Sequence, residues 1–423
     1  MNPTKHLLNA ERLLARFVRY VQIDTTSDEN SSAVPSTPGQ LELGKLLRDE
    51  LSAIGLRDAE QDAHGVVTAT IPATLKTDGA KIPVLAFNSH VDTSPEASGK
   101  NVRPQVHRNY AGGDLVLPDD STQVIRAAEN PELAELQGCT IITADGTTLL
   151  GSDDKAGVAV IMELAAWLTE HAVIPHGPIR VIFTCDEEIG HGVDHVDLKK
   201  LGADVAYTLD GRGHDEIENE TFSADLATIT VTGKNIHPSI GKGRMVNAIR
   251  AAADFVERLP RAMLSPETTA EREGFLHPYA ISGGVAETQI KIILRDFETA
   301  KLSEWAEIAR QAAAATEREF PGCTVDVRIV KQYRNMADGL RAESRAVALA
   351  EQAHRNLGRV PRLGYIRGGT DGSRFTELGL PTPNLSTGEH NPHSPLEWCA
   401  LEEMTAALDV LIELSQLWGR QRK

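Results

Sequence analysis

Two hydrophobic rhythms alternate along this chain, one of about 3.6 residues and one of two, and their order is that of an α/β protein. Leu13, Leu14, Phe17, Val18 and Val21 fall on one helical face, predicting a helix over Glu11 to Val21. A polar loop containing proline follows, and a second helix is predicted from about Gln40 to Ile54. Val66 to Ile71 and Pro83 to Asn88 read as strands, Ala156 to Thr169 as a long amphipathic helix, and Ile179 to Thr184 and Val205 to Leu209 as two further apolar strands. Helices and short apolar strands in succession predict a largely parallel mixed sheet. Between Gly99 and Gly138 the periodicity is lost, so this segment is expected to run as a long excursion over the surface.

A second rhythm begins near Thr221. Ala227 to Val231 reads as a strand, Val246 to Arg258 as a helix, Gln289 to Leu294 as a strand, Ser303 to Glu319 as a helix and Thr324 to Val330 as a strand. Sheet and helix patterning then resumes after about Arg334. The expected organisation is an α/β domain built from residues 1–220 and 334–423, with an α+β domain inserted over 221–333. A chain of 423 residues exceeds the size at which single cores usually split, which agrees with two domains.

Composition narrows the function classes. With 41% hydrophobic and 24% charged residues the chain has the make-up of a globular protein. Its 43 basic and 60 acidic residues leave a net charge of -17, which argues against nucleic acid or an anionic membrane surface as a partner. Cys139, Cys185, Cys323 and Cys399 are too scattered for a thiolate metal site or a redox pair. The opening Met1 to Ala10 lacks the apolar core of a leader, and no run of about 18 apolar residues occurs, so a cytoplasmic protein with reduced thiols is expected.

Candidate chemistry gathers where the predicted strands end. His90-Val91-Asp92 follows one apolar run, Asp153-Asp154 precedes the helix near Ala156, Glu187-Glu188 follows a second strand, Asp210 ends a third, and His393 lies in a loop near the end of the chain. Open α/β sheets place their sites at the carboxyl ends of strands. Imidazole is a good ligand for zinc, a carboxylate such as Asp153 can use its two oxygens to bridge two cations, and Asp92 is placed to orient the His90 ring. Taken singly, each stretch has a plainer explanation as a turn, a helix cap or a solvated acid. Adjacent acids such as Glu187 and Glu188, if turned inward, repel unless a cation or a shared proton compensates. One of the two can bind metal while the other faces an attacking water, the division of labour that metal-assisted hydrolysis needs. His191, His195, His214 and His390 lie near these residues in sequence but are not assigned to metal.

These stretches, together with Ser98-Gly99-Lys100-Asn101-Val102, Asn109-Tyr110-Ala111-Gly112-Gly113-Asp114 and Ile366-Arg367-Gly368-Gly369-Thr370-Asp371-Gly372, resemble the dizinc metallopeptidase family that takes in tripeptide aminopeptidases of the peptidase T type, acylases and glutamate carboxypeptidases. The resemblance covers nearly the whole chain. It implies a zinc-peptidase-type catalytic domain with an inserted lid domain, two Zn2+ per subunit with Co2+ or Mn2+ as alternatives, short peptides as substrates, and a role in peptide breakdown. It implies that His90, Asp153 and Asp210 hold one zinc and that Asp153, Glu188 and His393 hold the second. Glu187 is then the general base and acid, with Asp92 supporting His90. His237 of Asn235-Ile236-His237-Pro238 matches the family's transition-state histidine, and Arg295 matches an arginine that receives the substrate carboxylate.

Asn247 and Arg367 join Arg295 as candidate substrate contacts, since a chain this acidic needs local cations or donors to hold a peptide carboxylate. Ser152, Cys185 and the loop from His390 to Trp398 depart from the family pattern. Release of the N-terminal residue from tripeptides is the leading expectation. A related dipeptidase or N-acyl amino acid deacylase and a noncatalytic peptide-binding protein are the alternatives, and a homodimer is left open.

Overall fold

The structure, a computed structural model, describes residues 6–76 and 81–423, so Met1 to Lys5 of the stretch read for a leader lies outside them. The chain divides into two units. The first comprises Met1–Asn219, Asp338–Gly364 and Thr370–Lys423, and the second comprises Glu220–Ala337 with Tyr365–Gly369.

The first unit is built on an 11-stranded mixed sheet. Its centre is parallel: Ile179–Thr184 pairs with Leu85–His90, Leu85–His90 with Val205–Arg212, and Val205–Arg212 with Asn384–His390. Antiparallel strands flank this centre, Val67–Ile71 on one side and Trp398–Ala400, Ile141–Thr143 and Gln105–His107 on the other. Because the four central strands run the same way, His90, the residues after Thr184, Asp210 and the loop after His390 all emerge at one edge. The site is therefore set by topology before any side chain is considered.

The helix Ser152–Glu170 is buried on every face over its middle, from Lys155 to Leu168, where the sequence pattern predicts an amphipathic helix. The reason is that the sheet packs on one side of it and the helices Ala10–Val21 and Leu401–Gly419 on the other. Leu401–Gly419 is itself buried along nearly its whole length, a core helix whose apolar surface goes all the way round. Glu163 sits inside this packing with no exposed side-chain surface, and Arg12 satisfies it through contacts of 2.7 to 2.9 Å. A buried acid needs such a partner.

The segment 99–138 is more than a surface excursion. Gln105–His107 joins the main sheet, Leu115–Val116 pairs with Val124–Ile125, and Tyr110, Leu117, Ile125, Leu133 and Leu136 form a small core with Trp398. Strands of two or three residues are too short to show a period, which is why the pattern was silent there.

The second unit holds a four-stranded antiparallel sheet in the order Phe275–Gly283, Glu287–Asp296, Ser223–Thr232, Thr324–Tyr333. The helices Ala248–Glu257 and Lys301–Glu319 pack on it through Ala251, Phe255, Leu302 and Ala309. Phe275–Gly283 is not evident from the sequence. It is an edge strand with Pro278 at an irregularity and an exposed outer half, where alternation has nothing to report.

Packing at the C-terminal helix gives a first test. Ile412 is fully buried in the main core, so Ile412→Ala is expected to destabilise the first unit by about 2–5 kcal/mol. Denaturant unfolding checks this, and a loss below about 1 kcal/mol would show that the helix is not a core element.

Candidate active site

Each site residue is positioned by a local constraint that can be named. The strand Leu85–His90 is buried throughout and delivers His90 at its carboxyl end. The His90 Nδ1 lies 3.1 Å from the carbonyl oxygen of Asp92, which fixes the ring and leaves Nε2 directed at a carboxylate cluster. The Asp92 carboxylate, fully buried, accepts the backbone N–H groups of Glu187 at 3.0 Å and Glu188 at 3.1 Å. One aspartate therefore ties the histidine to the acidic pair.

The acidic pair is held from behind as well. Asp186 adopts φ 64°, a left-handed conformation that a non-glycine residue takes only when its surroundings enforce it. Its carboxylate accepts from Ser36 N at 2.8 Å, Ser36 Oγ at 2.5 Å and Gln40 Nε2 at 2.6 Å, while its own N–H donates to Gln40 Oε1.

Asp153 stands in a turn shaped by Gly151, at φ 82°, and by the buried Glu397. Glu397 accepts from Leu150 N, Gly151 N, Ser152 Oγ and Asp153 N at 2.6 to 3.0 Å, gathering the donors that open the helix. Asp153 and Asp154 leave helical geometry, and Asp153 presents its two oxygens to two different imidazoles. Oδ1 lies 3.0 Å from His90 Nε2 and Oδ2 lies 3.3 Å from His393 Nε2. Glu188 Oε2 is 3.0 Å from His393 Nε2, and Asp210 Oδ1 and Glu187 Oε2 are 3.8 and 3.9 Å from His90 Nε2. The structure thus brings together His90, Asp92, Asp153, Glu187, Glu188, Asp210 and His393.

The donor set fits divalent cations. Ligand atoms of His90, Asp153 and Glu188 lie within 4.8 Å of one another, as do those of His90, Asp154 and Asp210, and those of Asp153, Asp210 and Glu389. Glu188 Oε1 is buried without a hydrogen-bond partner, a costly state for a carboxylate unless a cation completes it.

Comparison with known proteins agrees with this site. The sequence pattern of peptidase family M20/M25/M40 matches residues 145–416. The chain belongs to this family. It is similar to a peptidase T of Geobacillus kaustophilus (strain HTA426), 43% identical over 411 residues that cover 97% of this chain and 99% of the relative. A peptidase T of Bacillus subtilis (strain 168) is 42% identical with the same coverage. Among solved structures, aminopeptidase PepT from Bacillus cereus ATCC 10987 superposes with a TM-score of 0.73 at 25% identity, covering 98% of this chain and 100% of that one. This M20 chain is therefore a metallopeptidase, and its cluster is the candidate metal site.

Several further residues support the candidate site. Asp154 is a positioning residue: its Oδ2 accepts from Ser89 Oγ at 2.5 Å and His90 N at 3.1 Å, and its Oδ1 accepts from Gly157 N at 3.2 Å. Asn384 holds Asp210 on both sides, accepting its N–H at 3.1 Å and donating to its carbonyl at 2.6 Å. Glu397 and Asp186 are likewise buried acids whose partners lie far off in sequence, and Glu389 is a buried acid close to Asp153 and Asp210. Spacing could not have found Asn384, Glu397 or Glu389, because each meets its neighbours only through the tertiary fold. The nearby histidines have other partners: His390 pairs with Glu403 at 2.7 Å, His214 with Glu403 at 3.0 Å, His191 with Asp194 at 2.7 Å, and His195 stacks on His64.

The remaining candidates belong to the second unit. His237 is exposed and caps the short helix Pro238–Ile240, with Nδ1 2.7 Å from Ser239 Oγ. Asn247 caps the helix Ala248–Glu257 by accepting Ile249 N at 2.9 Å, so a structural task accounts for its side chain. Arg295 and Arg367 both lie against the Phe275 ring, at 6.0 and 5.7 Å. Arg295 Nη1 donates to the Arg367 carbonyl, and Arg295 Nε is buried without a partner.

Electrostatics of the metal-free cluster follows from crowding. Burial pushes Glu187 well above the ordinary carboxylate range, with Asp210, Asp371 and Glu188 adding to the shift and His90 opposing it. Burial and the Asp153 charge push Glu188 up to about 8 and Asp210 up to about 6. For His393 burial acts downward, but contacts with Asp153 and Glu188 overcome it and raise the imidazole to about 11. Asp153 is held below its usual range in spite of burial, because His393 and His90 both donate to it.

These shifts fix the sign of a pH dependence. Without metal, the folded chain keeps protons on Asp210, Glu188 and His393 up to about 6, 8 and 11, whereas the unfolded chain releases them near about 4 for carboxylates and 6.5 for imidazole. The folded state binds more protons between about pH 5 and 8, so its stability falls as pH rises through that window. Chelator-treated protein is expected to melt at lower temperature at about pH 8 than at about pH 5.5, and an added divalent cation, which displaces those protons, is expected to raise the melting temperature most at the upper end. A metal-free melting temperature that climbs across the window would refute this.

Proposed function

We propose that this chain is a dizinc aminopeptidase that releases the N-terminal residue from tripeptides, acting on peptides in the cytoplasm. The observation that carries the reading is Asp153 facing two imidazoles with separate oxygens, the arrangement a bridging ligand needs. His90, Asp153 and Asp210 would hold one zinc, and Asp153, Glu188 and His393 the other, a mixed nitrogen and oxygen set that suits zinc. The names of the Geobacillus and Bacillus relatives support the substrate class. Free cysteines at 139, 185, 323 and 399 agree with a reducing compartment, and no helix among the described residues is long and apolar enough to cross a membrane.

When bound, two zinc ions supply Lewis-acid polarisation of the scissile carbonyl and make water a stronger acid. Glu187 takes the proton of the attacking water on a carboxylate oxygen and returns it to the nitrogen of the leaving amine. Burial favours this role, since a carboxyl whose ordinary acidity is weakened is a better base. Asp92 holds the Glu187 backbone so that the carboxylate has a fixed origin. His237 would steady the developing oxyanion, and Arg295 with Arg367 would receive the carboxylate end of the peptide.

The test has two arms. Glu187→Gln is expected to lower kcat by about 10²- to 10⁴-fold while the zinc content stays that of the unaltered chain, and near-normal turnover with full zinc would refute the proton-transfer role. Zinc-reconstituted protein is expected to cleave free-amine tripeptides in preference to dipeptides and N-acetylated controls. Turnover of an acylated amino acid with none of any tripeptide would replace the reading with that of a deacylase of the same family.

A further inference from the structure

We propose that Glu389 is a further oxygen ligand of the cation held by Asp153 and Asp210. The inference rests on the metal-centre reading above and adds to it a residue that the five-ligand assignment leaves out. Carboxylate oxygens of Asp153, Asp210 and Glu389 lie within 4.8 Å of one another. Glu389 is 3% exposed, and its Oε2 is buried with no hydrogen-bond partner. An unpartnered buried carboxylate oxygen beside two other acids is unfavourable unless a cation joins them.

The backbone is built to deliver this side chain. Along the parallel pair formed by Asn384–His390 and Val205–Arg212, Asn384 faces Thr208, Leu385 faces Leu209 and Ser386 faces Gly211, but it is Glu389 that faces Arg212. Thr387 and Gly388 are extra residues in that interval, a bulge in the strand next to the one that carries Asp210. Bulges of this kind re-aim a side chain at the edge of a site. Gly388 has φ 88°, and a Cβ there would meet Glu403 Cβ at 2.7 Å and Met404 N at 3.1 Å, so the bulge requires glycine.

The bulge is pinned on both sides. Thr387 Oγ1 donates to the Gly211 carbonyl at 3.1 Å, one residue beyond Asp210. His390 stacks on Trp398 with ring centroids 3.7 Å apart and pairs with the buried Glu403 at 2.7 Å. Residues on either side of Glu389 are thus locked to the sheet and to the C-terminal helix, while Glu389 itself has an oxygen to spare. A backbone held this rigidly fixes the origin of the Glu389 side chain, so less freedom is lost on binding a cation. Its burial also separates it from a substrate-binding acid, which would need an accessible oxygen to meet a peptide ammonium.

The experiment compares the full chain with Glu389→Gln and Glu389→Ala, each stripped and reloaded with zinc or with Co2+. Zinc content and competition with a chromophoric chelator read the affinity, and the visible Co2+ absorption reads the ligand field. The expected result is that one of the two zinc equivalents is held about 10- to 100-fold more weakly in both variants, with an altered Co2+ spectrum, while Glu389→Gln melts no lower than the unaltered chain in the metal-free form. Variants that match the unaltered chain in affinity and spectrum overturn the proposal and leave the metal-centre reading standing. An unaltered chain that takes up no zinc overturns the metal-centre reading itself and the proposal with it. Should the variants fail to fold, a zinc-loaded crystal of the unaltered chain decides: a Glu389 oxygen within about 2.0–2.2 Å of zinc supports the assignment, and a longer separation overturns it.

Discussion

Like-charge repulsion at one buried sheet edge is the constraint around which the first unit is organised. Asp92, Asp153, Asp154, Glu187, Glu188, Asp210 and Glu389 converge there with His90 and His393 as the imidazoles among them. Such a gathering opposes folding, and the surrounding structure shows how it is offset. Some of the acids are given donors, as Asp92 and Asp154 are by backbone N–H groups. Glu188 and Glu389 instead each keep a buried oxygen without a hydrogen-bond partner, and Asp153 turns its two oxygens to His90 and His393. Carboxylates saturated by backbone donors hold their neighbours in place, while the rest of the cluster is left with capacity for a cation or a proton.

Much of this was legible in the sequence, for a physical reason. Parallel strands buried on both faces read as short apolar runs, and the polar residues that terminate them stand out. That is how His90, Glu187, Glu188 and Asp210 could be picked from a chain with 60 acidic residues. Asp153 was visible because it precedes a long apolar helix. The supporting residues were not, since Glu397 reaches back to residues 150–153 and Ser36 reaches Asp186 across the whole intervening chain. Contacts of that span leave no periodicity. The helix Leu401–Gly419 escaped notice for the opposite reason, being apolar on all sides with no face to detect.

The second unit shows where pattern reading stops. Its central strands and both helices have clean alternation, because one face of the sheet is covered by Ala248–Glu257 and Lys301–Glu319. The edge strand Phe275–Gly283 has no such contrast along its exposed half. Asn247, which composition suggested as a substrate contact, has a capping bond that explains it. Arg295 keeps a buried Nε without a hydrogen-bond partner and lies with Arg367 against the Phe275 ring.

Glu397 ties two distant parts of the site together. It lies four residues beyond His393 and binds the turn that carries Asp153, using only protein donors. Segments some 245 residues apart in sequence are therefore clasped at the site by a link made of protein groups alone. The turn that carries Asp153 is thus anchored by bonds within the protein, and its position does not depend on which cation the site takes.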